Sequence, residues 1–198
     1  MKSKNPIEIF KKHGGQLRMK EAITAGISRY RLYNLRDKGI IEQVSRGVYR
    51  LVELPPLSNP DLATVSLRYP NSVICLVSAL SFHNITTQIP HEVSIAVERE
   101  TRLPVLEYPP ISSHRFSKNA FKKGIEEHII DGIKVKVYNP EKTIADCFKF
   151  RNKLGMEIVL EALKLYKSRK KFEPNTLMKY ARICRVEKII KPYLESMI

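Results

Sequence analysis

Residues 23–51 constrain the fold more than any other stretch, because they combine closely spaced turn signals with two kinds of apolar spacing. Gly26 suits a turn, Ser28 is a favoured residue at the start of a helix, and Gly39 is favoured directly after a helix ends. Apolar and polar residues then alternate at 41–45 and 48–51, on either side of Arg46-Gly47. This pattern predicts a hairpin with an arginine at its tip. The order of helix, turn, helix and hairpin predicts a winged helix-turn-helix.

A proline-rich connector separates this pattern from the rest of the chain. Pro55, Pro56 and Pro60 favour an extended segment, so we expect domains at 1–53 and 60–198. The expected fold class is α+β, with an N-terminal winged helix-turn-helix domain followed by a mixed α+β C-terminal domain that ends in helices.

Apolar spacing and turn residues predict the individual elements. In the first domain we expect helices at 6–12, 17–25 and from Ser28 to Gly39, then strands at 41–45 and 48–51. In the second we expect strands at 92–97, 111–116, 125–130 and 133–138, and helices at 59–69, 79–83, from Asn139-Pro140-Glu141 onward, and at 156–168, 175–184 and 187–197.

The chain is strongly basic. Among 198 residues, Lys and Arg number 35 and Asp and Glu number 20, which gives a formal net charge of +15. The first 54 residues hold 12 basic and 5 acidic side chains, so positive charge is densest in the segment with the winged pattern. Such a balance favours a polyanionic partner, either a nucleic acid or an acidic membrane surface.

The spacing of the cysteines and the hydropathy of the chain indicate the cellular compartment in which the protein works. Cys75, Cys147 and Cys184 lie far apart without CxxC spacing, which argues against a disulfide framework and a zinc site and favours buried thiols in a reducing cytoplasm. No apolar stretch approaches the ~20 residues needed to cross a bilayer, and the N-terminus lacks the apolar core of a signal peptide. We therefore expect a soluble cytoplasmic protein without a membrane partner, a metal or another cofactor.

The helix after Ser28 carries the candidate DNA interface. At 100° per residue, Leu32 and Leu35 face inward. The alternative interpretation of this helix is an ordinary solvated face. Such a face usually carries a mixture of Glu and Lys, whereas this one exposes tyrosines among arginines. We expect base contacts from Arg29, Tyr30, Tyr33 and Asn34, and phosphate contacts from Ser28, Arg31, Arg36, Lys38 and Arg46.

A second basic patch ends the helix predicted at 156–168; its members are Lys164, Lys167, Arg169, Lys170 and Lys171. Cations near a helix C-terminus are favourable in their own right, by roughly 0.3–1 kcal/mol each, and this accounts for the patch. A second surface that tracks phosphates is the alternative.

Catalytic motifs are missing from the sequence. The five histidines lack ligand spacing, and there is no Walker loop, GxSxG elbow or GxGxxG loop. The nuclease-like group is Glu127 and Asp131 with Lys134 and Lys136, which could hold magnesium and activate water. Because Asp131 fits a hairpin turn and the lysines fit a half-exposed strand, we expect a protein without enzymatic activity. A DNA-targeted, magnesium-dependent nuclease is the alternative.

Three segments carry a family resemblance. They are RGVYR at 46–50, SALSFHNIT at 78–86 with Ile89-Pro90 after it, and NPEKTIAD at 139–146. In this order and spacing they resemble the AbiEi family, the antitoxins of abortive-infection, type IV toxin–antitoxin systems that act in phage defence. The resemblance spans nearly the whole chain.

The resemblance implies a winged helix-turn-helix that represses its own operon by binding inverted repeats in the promoter. It also implies a C-terminal domain that neutralises a nucleotidyltransferase-type toxin without binding it stably; direct binding of the toxin by the helical tail is the alternative. With one DNA reader per chain, an inverted repeat needs two copies, so dimerisation on DNA is expected. We expect residues 139–146 to form a helix cap and a core face, with no catalytic role for Lys142 or Asp146.

Overall fold

The structure, a computed structural model, describes residues 5–196. The chain divides into two compact units. The first runs to Pro70 and includes residues 128–135, and the second comprises the remaining residues from Asn71 onward. The first unit therefore extends past the boundary predicted at 53 and is built from two stretches of chain. Residues 1–4 and 197–198 of the predicted domains lie outside the described residues.

The first unit contains a winged helix-turn-helix, as predicted. Its elements are α1 (Pro6–Lys12), β1 (Gln16–Arg18), α2 (Met19–Thr24), α3 (Arg29–Asp37), β2 (Ile41–Ser45), β3 (Val48–Leu51) and α4 (Pro60–Arg68). The three strands form an antiparallel sheet in the order β1-β3-β2.

Local signals set the ends of α3 and the wing. Ser28 Oγ accepts a hydrogen bond from the Arg31 backbone N–H at 3.3 Å, which satisfies one of the free amides at the start of α3. The turn between β2 and β3 is Arg46-Gly47, and Gly47 has a φ of 76°, a conformation that favours glycine. The helix, the strands and the turn thus lie where the sequence predicted them.

The helix predicted at 17–25 is wrong at its start. Gln16 to Arg18 form strand β1, with Leu17 opposite Tyr49 of β3, and α2 begins only at Met19. Pairing with β3 is a long-range interaction that supplies backbone hydrogen bonds to β1. The local apolar spacing of residues 17–25 does not reveal it.

One hydrophobic core in the first unit unites α1, β1, α2, α3, β2 and β3. Its buried members are Ile9, Phe10, Leu17, Ala22, Ile27, Leu32, Ile41, Tyr49 and Leu51. Arg50 is also buried, and its guanidinium contacts Glu42 Oε1 at 3.3 Å and the backbone oxygens of Leu54 and Pro55. This buried cation therefore fixes the start of the proline-rich connector against the wing.

The tip of a later hairpin, residues 128–135, completes the first unit. Ser58, just before α4, donates to Asp131 Oδ2 from its backbone N–H at 2.7 Å and from its hydroxyl at 2.9 Å. Gln16 Nε2 donates to the Asp131 backbone oxygen at 3.0 Å. A Cβ added at Gly14 would lie 3.0 Å from the Gly132 backbone oxygen, a tighter contact than most side chains make, and the φ of 71° at Gly14 also favours glycine.

The second unit is built on a five-stranded sheet with helices. Its elements are β4 (Val73–Ile74), α5 (Leu76–Phe82), β5 (Val93–Glu98), β6 (Ile111–Phe116), α6 (Lys118–Lys122), β7 (Ile125–Ile130), β8 (Ile133–Tyr138), α7 (Pro140–Lys149), α8 (Arg151–Leu154), α9 (Met156–Lys167), α10 (Pro174–Cys184) and α11 (Glu187–Glu195). The strand order is β6-β5-β4-β8-β7, with β5 parallel to β6 and β4 parallel to β8. The hairpin of β7 and β8 in this sheet contributes its tip, residues 128–135, to the first unit.

The predicted mixed α+β fold with a helical end is confirmed. The elements that sequence patterns missed, β4, α6 and α8, have two, five and four residues, too few to show a period. The last helix, predicted to reach Met197, ends at Glu195, and Met197 lies outside the described residues.

Helix α7 lies at the centre of the second unit. Asn139 caps it by accepting a hydrogen bond from the Lys142 backbone N–H at 2.9 Å, as the NPE pattern predicted. Residues 142–148 are all buried.

The three cysteines are free thiols and buried, which confirms the burial predicted for them. Within residues 5–196, no helix is long and apolar enough to cross a membrane.

Candidate nucleic-acid interface

One face of α3 presents a stripe of large polar side chains. Arg29, Tyr33 and Arg36 are spaced by four and three residues, so they share a face of the helix. The Arg36 guanidinium lies 5.1 Å from the centroid of the Tyr33 ring, and 39% of the Tyr33 side chain remains exposed. Leu32 is fully buried, so the core holds the side of the helix next to this stripe.

The wing and α2 complete a concave surface with this stripe, which we call the basic groove. Its volume is about 760 Å³. It is lined by Arg18, Met19, Lys20, Ile23, Thr24, Arg29, Tyr33, Arg36, Gln43, Arg46, Gly47, Tyr49 and Arg68. Six of these residues are cationic, and none of the described aspartates or glutamates lines the groove.

Two of the six cations have a carboxylate partner. Glu21 accepts from the Arg18 backbone N–H at 2.9 Å and from Arg18 Nε at 3.0 Å. Burial acts to raise the pKa of Glu21, but these hydrogen bonds outweigh it and leave the pKa below its ordinary value. Arg36 donates from Nε at 3.0 Å and from Nη2 at 2.9 Å to Asp37, which raises the pKa of Arg36.

The other four cations, Lys20, Arg29, Arg46 and Arg68, form no ion pair with any residue in the range 5–196. Positive charge gathered in a concave surface without counter-charge attracts anions, and arginine forks suit phosphate oxygens. The groove is therefore chemically suited to a polyanion.

The structure brings together four of the nine residues predicted to bind DNA: Arg29, Tyr33, Arg36 and Arg46 line the groove. The other five lie on α3 or beside its ends but outside the groove. Tyr30 is 79% exposed, Asn34 is half-buried, and Ser28, Arg31 and Lys38 are exposed.

Sequence reasoning missed Arg18, Lys20, Gln43 and Arg68. The first two belong to β1 and α2, where a single helix was expected. Arg68 ends α4 and has the ordinary appearance of a cation in the last turn of a helix. For Arg68, a sequence signal is lacking because only the packing of α4 brings it to the groove.

The second basic patch belongs to the second unit. Lys164 and Lys167 are exposed in the last turn of α9, and Arg169, Lys170 and Lys171 follow the helix cap at Ser168. Arg169 is half-buried and the two lysines after it are exposed. None of the five forms an ion pair in the part of the chain that the structure describes.

The nuclease alternative depends on Asp131. Its carboxylate accepts two hydrogen bonds from Ser58, so it has a structural role at the start of α4. Over residues 5–196, no three His, Cys, Asp or Glu side chains come together in an arrangement that could hold a metal ion.

Comparison with known proteins agrees with the geometry of the first unit. Residues 6–52 match the model of a family described as "Transcriptional regulator, AbiEi antitoxin", which confirms the resemblance over the winged segment. A crystal structure of the RV2827C protein from Mycobacterium tuberculosis is similar in fold, with a TM-score of 0.51, 14% sequence identity, and coverage of 90% of this chain and 74% of that chain. No curated protein matches the chain.

Proposed function

We propose that this chain, whose residues 6–52 match the AbiEi antitoxin family of transcriptional regulators, represses its own operon by binding double-stranded DNA at inverted repeats in the promoter. The observation that carries the proposal is the basic groove, in which six cations and no described carboxylate line one side of α3 and the wing. In winged helix-turn-helix proteins the helix equivalent to α3 enters the major groove.

The residues on and around α3 have distinct roles in this proposal. Tyr30 and Asn34, which lie outside the basic groove, contact base edges; the Asn amide matches the donor and acceptor of adenine, and tyrosine can pack on a thymine methyl. Ser28, Arg31 and Lys38 contact neighbouring phosphates, and Arg46 at the wing tip contacts the phosphates beside the bound helix. An inverted repeat would bring two chains together on the DNA.

Fluorescence anisotropy with a labelled fragment of the protein's own upstream region, and a random duplex of equal length, tests this function. We expect Arg46→Ala to weaken binding to both duplexes by a similar factor. It should also reduce the magnitude of the salt slope, the slope of log K against log salt concentration, by about one, because one phosphate contact is lost. Arg102→Ala, which removes an exposed arginine outside the groove, is the matched control. An unchanged slope for Arg46→Ala would contradict the role of the wing.

Tyr30→Ala should behave differently in the same assay. Because Tyr30 is proposed to contact bases, its loss reduces the preference for the upstream fragment over random DNA. An equal loss on both duplexes would count against base contacts by Tyr30. Absence of any preference in the unaltered protein would contradict the proposed function itself.

The second unit is proposed to act as the antitoxin against a nucleotidyltransferase-type toxin, without stable binding. The support is the family description and the resemblance at 78–86 and 139–146. Co-expression with a nucleotidyltransferase-type toxin tests it. The chain carrying Arg46→Ala should restore growth as well as the unaltered chain, because the substitution lies in the first unit. Co-purification of a stable complex would favour direct binding instead.

A further inference from the structure

Arg68 belongs to the basic groove although it lies outside the segment that matches the regulator family. It is the last residue of α4, exposed, and without an ion-pair partner among residues 5–196. Its Nη1 lies beside the wing turn, 3.9 Å from the position that a Cβ on Gly47 would occupy. A guanidinium next to the wing tip thus adds to the charge that Arg46 supplies there.

Burial of its middle residues and hydrogen bonds at its start hold helix α4 in place. Its residues 62–66 are buried, and Asn59 caps it by accepting from the Leu62 backbone N–H at 3.1 Å. Immediately before the cap, Ser58 is bound to Asp131 by two hydrogen bonds. The backbone of Arg68 is therefore fixed by packing, and only its flexible side chain has to be ordered when an anion binds.

We infer that the basic groove seats one phosphodiester strand of the bound duplex, and that Arg68 of α4 donates to a phosphate of that strand. This inference rests on the proposed function and extends the DNA-binding surface beyond the winged segment to α4. A guanidinium can hold a phosphate through two parallel hydrogen bonds, which suits a surface that follows the DNA backbone.

The position of this DNA strand in the basic groove also assigns roles to residues of α3. Arg29, Tyr33 and Arg36 line the groove and therefore face the sugar–phosphate strand, where the Tyr33 hydroxyl can donate to a phosphate oxygen. Tyr30 and Asn34 lie outside the groove and remain for the base edges. Arg29 and Tyr33 are thereby moved from the base contacts predicted by sequence to backbone contacts.

Arg68→Ala tests the inference in the anisotropy assay with the upstream fragment and the random duplex. We expect binding about tenfold weaker on both duplexes, the size of one charge-assisted hydrogen bond, and a salt slope reduced by about one. Arg68→Lys keeps the charge and loses the fork, so the slope should be retained with a smaller loss of affinity. Arg102→Ala is the control, and circular dichroism verifies that each variant folds.

The outcomes separate this inference from the function on which it rests. If the unaltered protein binds neither duplex, the proposed function fails. If it prefers the upstream fragment and Arg68→Ala retains its affinity and slope, only the inference fails. A loss confined to the upstream fragment would make Arg68 a sequence reader and overturn the phosphate contact. Inorganic pyrophosphate is titrated in parallel, and saturable binding that Arg68→Ala abolishes while DNA binding is unchanged would assign the groove to a small anion.

Discussion

At the scale of single residues, Lys142 and Asp146 form an ion pair that is completely buried in α7. Lys142 Nζ also lies 4.2 Å from the centroid of the Tyr138 ring and 4.9 Å from that of Phe116. The Cys184 thiol donates to Asp146 Oδ1 at 3.2 Å. Burial raises the pKa of Asp146, while the Lys142 charge acts to lower it. Each charge thus depends on the other for its stability in the core.

Removing one member should therefore be far more harmful than removing both. We expect Asp146→Asn to reduce the free energy of unfolding by about 3–5 kcal/mol, because the Lys142 cation is left buried without a counter-charge. The double variant Lys142→Met, Asp146→Leu should lose less than Asp146→Asn alone. Urea denaturation followed by circular dichroism measures both.

The exposed pair Lys191–Glu195 provides the control for this prediction, since it has the same spacing along a helix but its side chains are 63% exposed. Glu195→Gln should change stability by less than about 0.5 kcal/mol. If Asp146→Asn proved as mild as this exposed substitution, the buried pair would have no special role in the stability of the second unit.

At the scale of elements, the N-terminus of α3 combines two tasks in one residue. Ser28 Oγ caps the helix by accepting from the Arg31 N–H, and the same end of the helix is proposed to lie near a DNA phosphate. Free amides at a helix N-terminus attract any anion, whether it is a side-chain carboxylate or a phosphate. Stability and DNA binding therefore place different demands on this position.

Substitutions at Ser28 should separate the two demands. We expect Ser28→Asp to keep or raise thermal stability, because aspartate is an equally good cap, but to weaken DNA binding by charge repulsion. Ser28→Ala should instead reduce stability by about 1 kcal/mol. Thermal unfolding and anisotropy measure the two effects. Equal changes in DNA affinity for both variants would show that no phosphate approaches this end of α3.

The elements that sequence patterns predicted are those whose signals are local. Ser28 and the turn at Arg46-Gly47 lie within the elements that they define, so α3 and the wing were placed correctly. Strand β1 has three residues and exists through pairing with β3, a distant segment that local spacing does not register. Arg68 reaches the groove only through the packing of α4, so the candidate site was predicted in part.

At the scale of the whole molecule, the net charge of +15 is not evenly available to a polyanion. In the basic groove, Arg18 and Arg36 are paired with carboxylates, and four cations have no described counter-charge. The salt dependence of DNA binding depends on the number of phosphates neutralised by such cations. If the proposed function is correct, the salt dependence therefore reports how many copies of the groove are occupied on the promoter.

Anisotropy over a range of salt concentrations should give a slope of log K against log salt of about −5 for a duplex with one half of the inverted repeat. Each neutralised phosphate contributes about −0.9, and the contributors are Arg31, Lys38 and the four groove cations that have no described counter-charge. A duplex with the complete inverted repeat should give about −11 as two chains bind. Equal slopes on the two duplexes would mean that a single chain occupies the repeat.

The first unit draws on two separate stretches of chain, and this has a consequence for biosynthesis. Asp131 and Gly132 belong to its packing, through Ser58, Gln16 and the close approach to Gly14. A nascent chain cannot complete this unit until residues 128–135 have left the ribosome. The winged segment is translated early, but the contacts of Gln16 and Gly14 with the hairpin tip can form only after most of the polypeptide has been made.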